Sequence, residues 1–252
     1  MGKYILKRIG QSIIVLILVT VLVFFVMHLM PGNPVQIYLG ETATPEQIEY
    51  YTKEFGLDKP VYVQYFKWIE GLFHGEMGYS IAFSKDVTEL LPERIMTTLS
   101  VTVPAFIIAI VFGVTLGVLA ATHRGRFLDS LISVFANIGI ATPVFWVGIL
   151  LVYILALKLK ILPVQGYTPL SEDFVDGIRK LIMPVIVLSL GHTASIARQT
   201  RSAMLEVISS DYIRTARAKG LKARAVTLRH GLRNALVPIV TLLGMSVGGL
   251  IG

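Results

Sequence analysis

The chain has 252 residues, of which 54% are hydrophobic and only 15% charged. A soluble domain carries charge on about a quarter of its residues, so this composition excludes an ordinary water-soluble fold and points to an integral membrane protein. The net charge of +7 gathers beside apolar runs, which argues for membrane topology and a docking surface and against nucleic-acid binding.

Taken in order, Lys3, Lys7 and Arg8 precede an apolar run from about Ile9 to Met30. The run is long enough to cross about 30 Å of hydrocarbon, and it lacks the short core and small-residue cleavage site of a signal peptide. It reads as a retained first span with the amino terminus inside. Residues 31–95 hold five basic and ten acidic groups and read as an extracytoplasmic helical segment. Within it, Thr44-Pro45-Glu46 is a helix start, with a cap, a proline at the first helical position and an acidic first turn. Gly56 closes that helix. Val61, Tyr65, Trp68 and Leu72 then share a helical stripe, widened by Tyr62, Phe66, Ile69 and Phe73. The stripe suits both a small cap packed on a bundle and an interfacial helix with aromatics at headgroup level.

Pro92-Glu93-Arg94 leads into a second span, about Met96 to Ala121, which His123, Arg124 and Arg126 close on the inner side. Inside it, Gly113-x3-Gly117 offers a small-residue face for another helix. The third span is expected from about Leu128 to Leu157, with Asn137, Thr142 and Pro143 near mid-membrane. Polar groups at that depth need partners in the bundle or a wet cavity. Two readings stay open for them: hydrogen bonding between helices at a proline kink, or side chains on a translocation path. Lys158 to Lys180 reads as an outer loop. A fourth span, about Leu181 to Ala197, adds Ser189 and His192 to the candidate path, and His192 reads either as a proton-sensitive gate or as a hydrogen-bonded bundle residue. A fifth span begins near Ala235, with Gly244-x3-Gly248 as a further small face.

Between the fourth and fifth spans, residues 198–233 carry nine Lys/Arg against two Asp/Glu. Such a cluster belongs on the cytoplasmic side. With the amino terminus inside, segments 1–8, 122–129 and 198–233 all fall inside and are all net basic. The stretch is also structured. Ser209 or Ser210 can cap a helix and Asp211 complements its dipole. Leu205, Ile208, Tyr212 and Ala216 recur at helical spacing, with Arg214 and Arg217 on another face. Gly220 can end the helix in a left-handed turn. The expected element is helix, Gly, helix, lying under the bilayer where a soluble partner can reach it.

No other chemistry announces itself. There are no cysteines, the five histidines lack paired ligand spacing, and no metal site is expected. No Gly-x4-Gly-Lys-Ser/Thr occurs, so the chain has no nucleotide-binding loop of its own. Neither a Ser/His pair, paired carboxylates nor His-Glu-x-x-His is present to suggest a catalytic residue or an intramembrane hydrolase.

The run Tyr-Ile-Arg-Thr-Ala-Arg-Ala-Lys-Gly-Leu, followed by Arg-His-Gly-Leu-Arg-Asn-Ala, resembles the cytoplasmic loop of ABC importer permeases of the dipeptide/oligopeptide/nickel branch. The general pattern there is Glu-Ala-Ala, three residues, Gly, nine residues, Ile-x-Leu-Pro. Aligned on Gly220, the opening positions are Arg214, Thr215 and Ala216, and the closing ones are His230, Gly231, Leu232 and Arg233. Ala216, Gly220 and Leu232 match, whereas Arg214 replaces the Glu and Arg233 the Pro. The likeness extends over essentially the whole chain, including Met30-Pro31-Gly32-Asn33-Pro34.

The resemblance implies an all-α, polytopic transmembrane bundle of the type I ABC importer permease kind, in a prokaryotic inner membrane. It implies a coupling loop (Tyr212, Ile213, Arg214, Thr215, Ala216, Arg217, Gly220) seated in a groove of a separate ABC ATPase, with Tyr212, Ile213 and Ala216 as the apolar contact. ATP and Mg would be used by that partner and no cofactor bound by this chain. A second permease, of a related but different sequence, and an extracytoplasmic solute-binding protein would complete the assembly in the membrane lipid. The family continues through an outer loop to another span, so a truncated permease of about five spans is expected here. Peptide, nickel and other small solutes all fit the branch. A channel or secondary transporter would also be polytopic but calls for intramembrane charges or matched broken repeats, which are missing. A membrane scaffold would explain the basic loop but not the Pro, Gly and polar residues inside the spans.

Overall fold

The computed structural model describes residues 2–29, 31–40, 43–80, 82–222 and 225–251, apart from the side chains of Arg217, Leu228, Arg229, Leu242 and residues 245–250 and 251. The chain is helical almost throughout and divides into two compact units, Met1–Arg94 and Ile95–Gly252.

In the first unit, α1 (Gly2–Leu29) is apolar on every face between Lys7/Arg8 and His28, and none of its side chains is buried. A helix that is hydrophobic all round and uncovered is a membrane span. Its far end packs on α4 (Val61–Phe73). Phe24 meets Tyr65 edge-on, with ring centres 5.3 Å apart, and lies 5.9 Å from Trp68. Thr20 and Tyr65 share a 3.0 Å hydrogen bond. The expected aromatic stripe of α4 divides accordingly. Tyr65 is buried and Trp68 half-buried against α1, while Tyr62, Phe66 and Phe73 face outward.

Two short helices complete this unit. Asn33 caps α2 (Pro34–Leu39) through the Val35 amide at 2.9 Å. Thr44 and Gln47 form the reciprocal capping box that opens α3 (Pro45–Glu54): the Gln47 amide donates to Thr44 Oγ1 at 3.3 Å, and the Thr44 amide to Gln47 Oε1 at 3.0 Å. Gly56, at φ +66°, turns the chain out of it. Thr44→Ala should cost about 1 kcal/mol of local stability, measurable as faster amide hydrogen exchange at Gln47 and Ile48. A two-residue ladder, β1 (Tyr79–Ser80) with β2 (Lys85–Asp86), is the one strand pairing among the described residues and leads into α5 (Val87–Thr122). Pro92, read above as the entry to the second span, thus lies inside a helix that begins five residues earlier.

The second unit is built on α8 (Phe174–Ile208), which packs against α5, α6 (Phe127–Ala141), α7 (Val144–Leu151) and α10 (Arg233–Ile251). The seam with α5 is made by small residues. A Cβ on Gly113 would lie 2.7 Å from Ile196 Cβ, and one on Gly117 would lie 2.7 Å from the Ala197 carbonyl and closer still to Thr200. The Gly113-x3-Gly117 face therefore does serve close approach, and α8 is its partner. Gly139 of α6 admits Ala194 of α8 in the same way. Ala121, Ala203, Met204, Ala235 and Ile239 form the core where α5, α8 and α10 meet. Gly244 has open space around it, and Gly248 lies outside the described side chains.

Two expectations need correction. The third span is not one kinked helix: α6 and α7 meet at Thr142-Pro143 with a bend of 97°, and α7 continues as a π-helical segment, Val152–Lys158. Pro143 has no amide to offer the α6 ladder and biases Thr142 away from helix, and Thr142 sits at ψ 126°. The outer loop is also shorter than Lys158 to Lys180. Asp173 caps α8 through the Asp176 amide at 3.0 Å, while Lys180 pairs with Asp176 at 2.6 Å and both bond Thr168 at 2.7 Å. Among the described residues, three helices (α1, α5, α8) are long and apolar enough to cross a membrane, or four with the broken pair α6–α7. The last expected span lies on the 19-residue α10.

Candidate functional site

The basic stretch is a folded element continuous with the helix that organises the second unit. α8 does not stop where its apolar residues do. It runs on through Arg198 and Arg201 to Ile208, because Thr200, Ala203 and Met204 keep one face buried. Ser209 and Ser210 turn the chain into α9 (Asp211–Ala218). The Ser210 carbonyl accepts the amides of Ile213 at 3.2 Å and Arg214 at 3.3 Å. The expected side-chain cap is not what the hydroxyls do. Ser209 donates to the Glu206 carbonyl at 2.8 Å and Ser210 to the Val207 carbonyl at 2.6 Å. With two residues between the helices, the orphan carbonyls ending α8 compete for the same hydroxyls. Gly220 closes α9 at φ +78°, and the Leu221 amide reaches back to the Ala216 carbonyl at 3.4 Å, the six-to-one bond of a Schellman turn.

α9 has two distinct faces. Ile213 (0% exposed) and Ala216 pack on Val226 and Val207, so the first turn of the π-helical segment Val226–Leu232 and the end of α8 hold it from within. These two residues, read above as partner contacts, are therefore spent on the chain's own core. The outward face carries Tyr212 (45% exposed), Arg214 and Thr215, followed by Lys219 and Gly220. Arg214 is 3.5 Å from Asp211 one turn back, both well exposed, a pair worth little in stability and free to exchange partners. The Arg217 side chain lies outside the described residues.

The candidate path residues are not assembled by mutual hydrogen bonds among the described residues. Thr142 donates to the Ile138 carbonyl at 2.7 Å, Ser189 to the Ile186 carbonyl at 3.0 Å, and His192 Nδ1 lies 3.1 Å from the Leu188 carbonyl. Each of these three meets a carbonyl of its own helix. Ser189 is buried, His192 half-buried, and Pro143 exposed at the bend. Asn137 is exposed and lines a cavity of about 190 Å³ with Ser133, Arg198 and Arg201.

That cavity adjoins a feature the sequence reading missed. Asp129, 5% exposed, receives a two-pronged bond from Arg201, with Nε to Oδ1 at 2.6 Å and a terminal nitrogen to Oδ2 at 2.9 Å. The Gly125 amide donates to the same carboxylate at 3.0 Å. The pair joins the first turn of α6 to α8, ten residues before α9. The only hint in the sequence is a lone acid among His123, Arg124 and Arg126.

Residues 113–252 match the family described as binding-protein-dependent transport system inner membrane component, and residues 1–102 match its N-terminal family. The chain belongs to this family. It is a membrane permease subunit of the transport class. Across its full length it is 40% identical to a protein of Sinorhizobium fredii named as a probable peptide ABC transporter permease, over 80% of that protein. It is 37% identical, over 97% of this chain and 78% of the relative, to a protein of Escherichia coli named as a probable D,D-dipeptide transport system permease.

Proposed function

We propose that the chain is the permease subunit of an ATP-driven importer, forms the translocation path for peptides, and takes its energy from a separate ATPase docked on α9. Nickel or another small solute is the substrate alternative in the same branch. The observation that carries the reading is the two-faced α9. Its inner face is fastened through Ile213 and Ala216 to the end of α8, and its outer face leaves Tyr212, Arg214 and Thr215 unpacked. A force on the outer face is delivered to the helix on which α5, α6, α7 and α10 all lean. The chemistry of ATP and Mg belongs to the partner; this chain's residues receive and transmit the displacement. Arg214 stands where the general pattern has Glu, so its contact on the ATPase is expected to be acidic. A second permease, a solute-binding protein outside and an amino terminus inside complete the proposal.

Gly220 tests it. Proline there would need φ near −65° in place of +78°, and a β-branched residue would pay the left-handed penalty. Gly220→Pro or Gly220→Val should abolish uptake and ATPase association while leaving membrane insertion intact. Survival of both would overturn the coupling assignment.

A further inference from the structure

A cavity at the far end of α1 has the chemistry of a lipid headgroup site. Arg8 and His28 are twenty residues apart on one helix, about 30 Å at 1.5 Å per residue, which is the thickness of the hydrocarbon core. With Arg8 in one headgroup layer, His28 lies in the other. Beside His28 opens a cavity of about 430 Å³, lined by Phe24, Trp68, Lys59, Lys67 and Glu76 among others, within the size range of small-molecule sites.

Its walls are apolar and its rim is rich in donors. Phe24 stacks on His28 with ring centres 4.5 Å apart, and its ring centre lies 5.9 Å from that of Trp68. Gln64 Nε2 donates to the Lys59 carbonyl at 2.7 Å and lies 3.4 Å from the Leu57 carbonyl, which turns Gln64 Oε1 toward His28 Nε2 at 3.1 Å. His28 Nδ1 faces the Phe24 carbonyl at 2.8 Å. Lys59 and Lys67 are exposed and make no ion pair among the described residues. Two ammonium groups against the single carboxylate of Glu76 give the rim a net positive charge.

We propose that this cavity holds the headgroup of an anionic phospholipid. The phosphate sits between Lys59 and Lys67, Trp68 and Phe24 line the glycerol region as an aromatic belt does, and the acyl chains run down the face of α1 that continues below Phe24 and His28, where Ile17 and Ile14 are exposed. A zwitterionic lipid would bring a third cation to a site already holding two.

The test uses the purified full chain, with the subunits that accompany it, in a mild detergent supplied with equal phosphatidylglycerol and phosphatidylcholine. Bound lipid is read by native mass spectrometry. Selective retention of phosphatidylglycerol is expected, reduced about tenfold or more in K59Q/K67Q and undiminished in E76Q. All three positions are exposed, so these variants keep the fold, and circular dichroism checks it. Equal retention of phosphatidylcholine, unchanged retention in K59Q/K67Q, or displacement by soluble glycerol 3-phosphate would each overturn the proposal.

Discussion

Gly117→Ala should destabilise the second unit, although alanine is the better helix former. Propensity alone favours Ala by about 1 kcal/mol. Against this, the new Cβ would lie 2.7 Å from the Ala197 carbonyl and closer to Thr200. The first of these is backbone in the middle of α8 and cannot swing aside, so α5 and α8 must separate. Overpacking of this kind costs about 1–3 kcal/mol, and separating the seam also loosens Ala121, Ala203 and Met204. Gly191→Ala, in α8 but with nothing within 4 Å of its added carbon, should be neutral or stabilising. Thermal unfolding of the two variants in detergent checks the sign: a lower midpoint for Gly117→Ala and an equal or higher one for Gly191→Ala.

Asp129→Ala should be the most damaging single change at the charged end of the bundle. It strips the two-pronged partner from Arg201 and the acceptor from the Gly125 amide in one step. Breaking a buried pair from one side costs about 3–5 kcal/mol, more than the pair itself contributes, because a charge is left without its counterion. Arg201 is about one-third exposed, so the loss should fall at the lower end. The double variant Asp129→Ala/Arg201→Ala should be less destabilised than the sum of the single ones. Strict additivity in that cycle would show that the two groups act separately.

How far the sequence reaches can be judged at particular residues. Gly113 and Gly117 were legible as a small face because their spacing is local, but their partner helix was not. Gly220 was legible for the same reason, since the need for a left-handed residue is settled within one turn. The inward residue of α9 is not legible in the sequence. Leu205, Ile208, Tyr212 and Ala216 share a stripe only if one helix runs through them, and the break at Ser209-Ser210 resets the phase, so Ile213 and not Tyr212 points inward. The fourth span is expected to end near Ala197 because hydropathy falls there. The helix persists because Thr200, Ala203 and Met204 find cover from α5 and α10, which no local window contains. The Asp129–Arg201 pair joins residues 72 apart, and the 97° bend at Thr142-Pro143 takes its size from how α6 and α7 each lie on α8. Both are tertiary facts. The first, second and fourth spans and the family are readable because long apolar runs and a fixed basic pattern survive without knowledge of contacts.

The central claim is that the outer face of α9 is where the ATPase seats, while its inner face belongs to the permease. Site-specific photocrosslinking in the assembled complex tests both halves at once, with the probe placed at Tyr212 in one variant and at Ile213 in the other. The account predicts that Tyr212 captures a nucleotide-binding ATPase chain and that Ile213 captures only this chain's own segment around Val226. Capture of the ATPase from Ile213, with none from Tyr212, would contradict it.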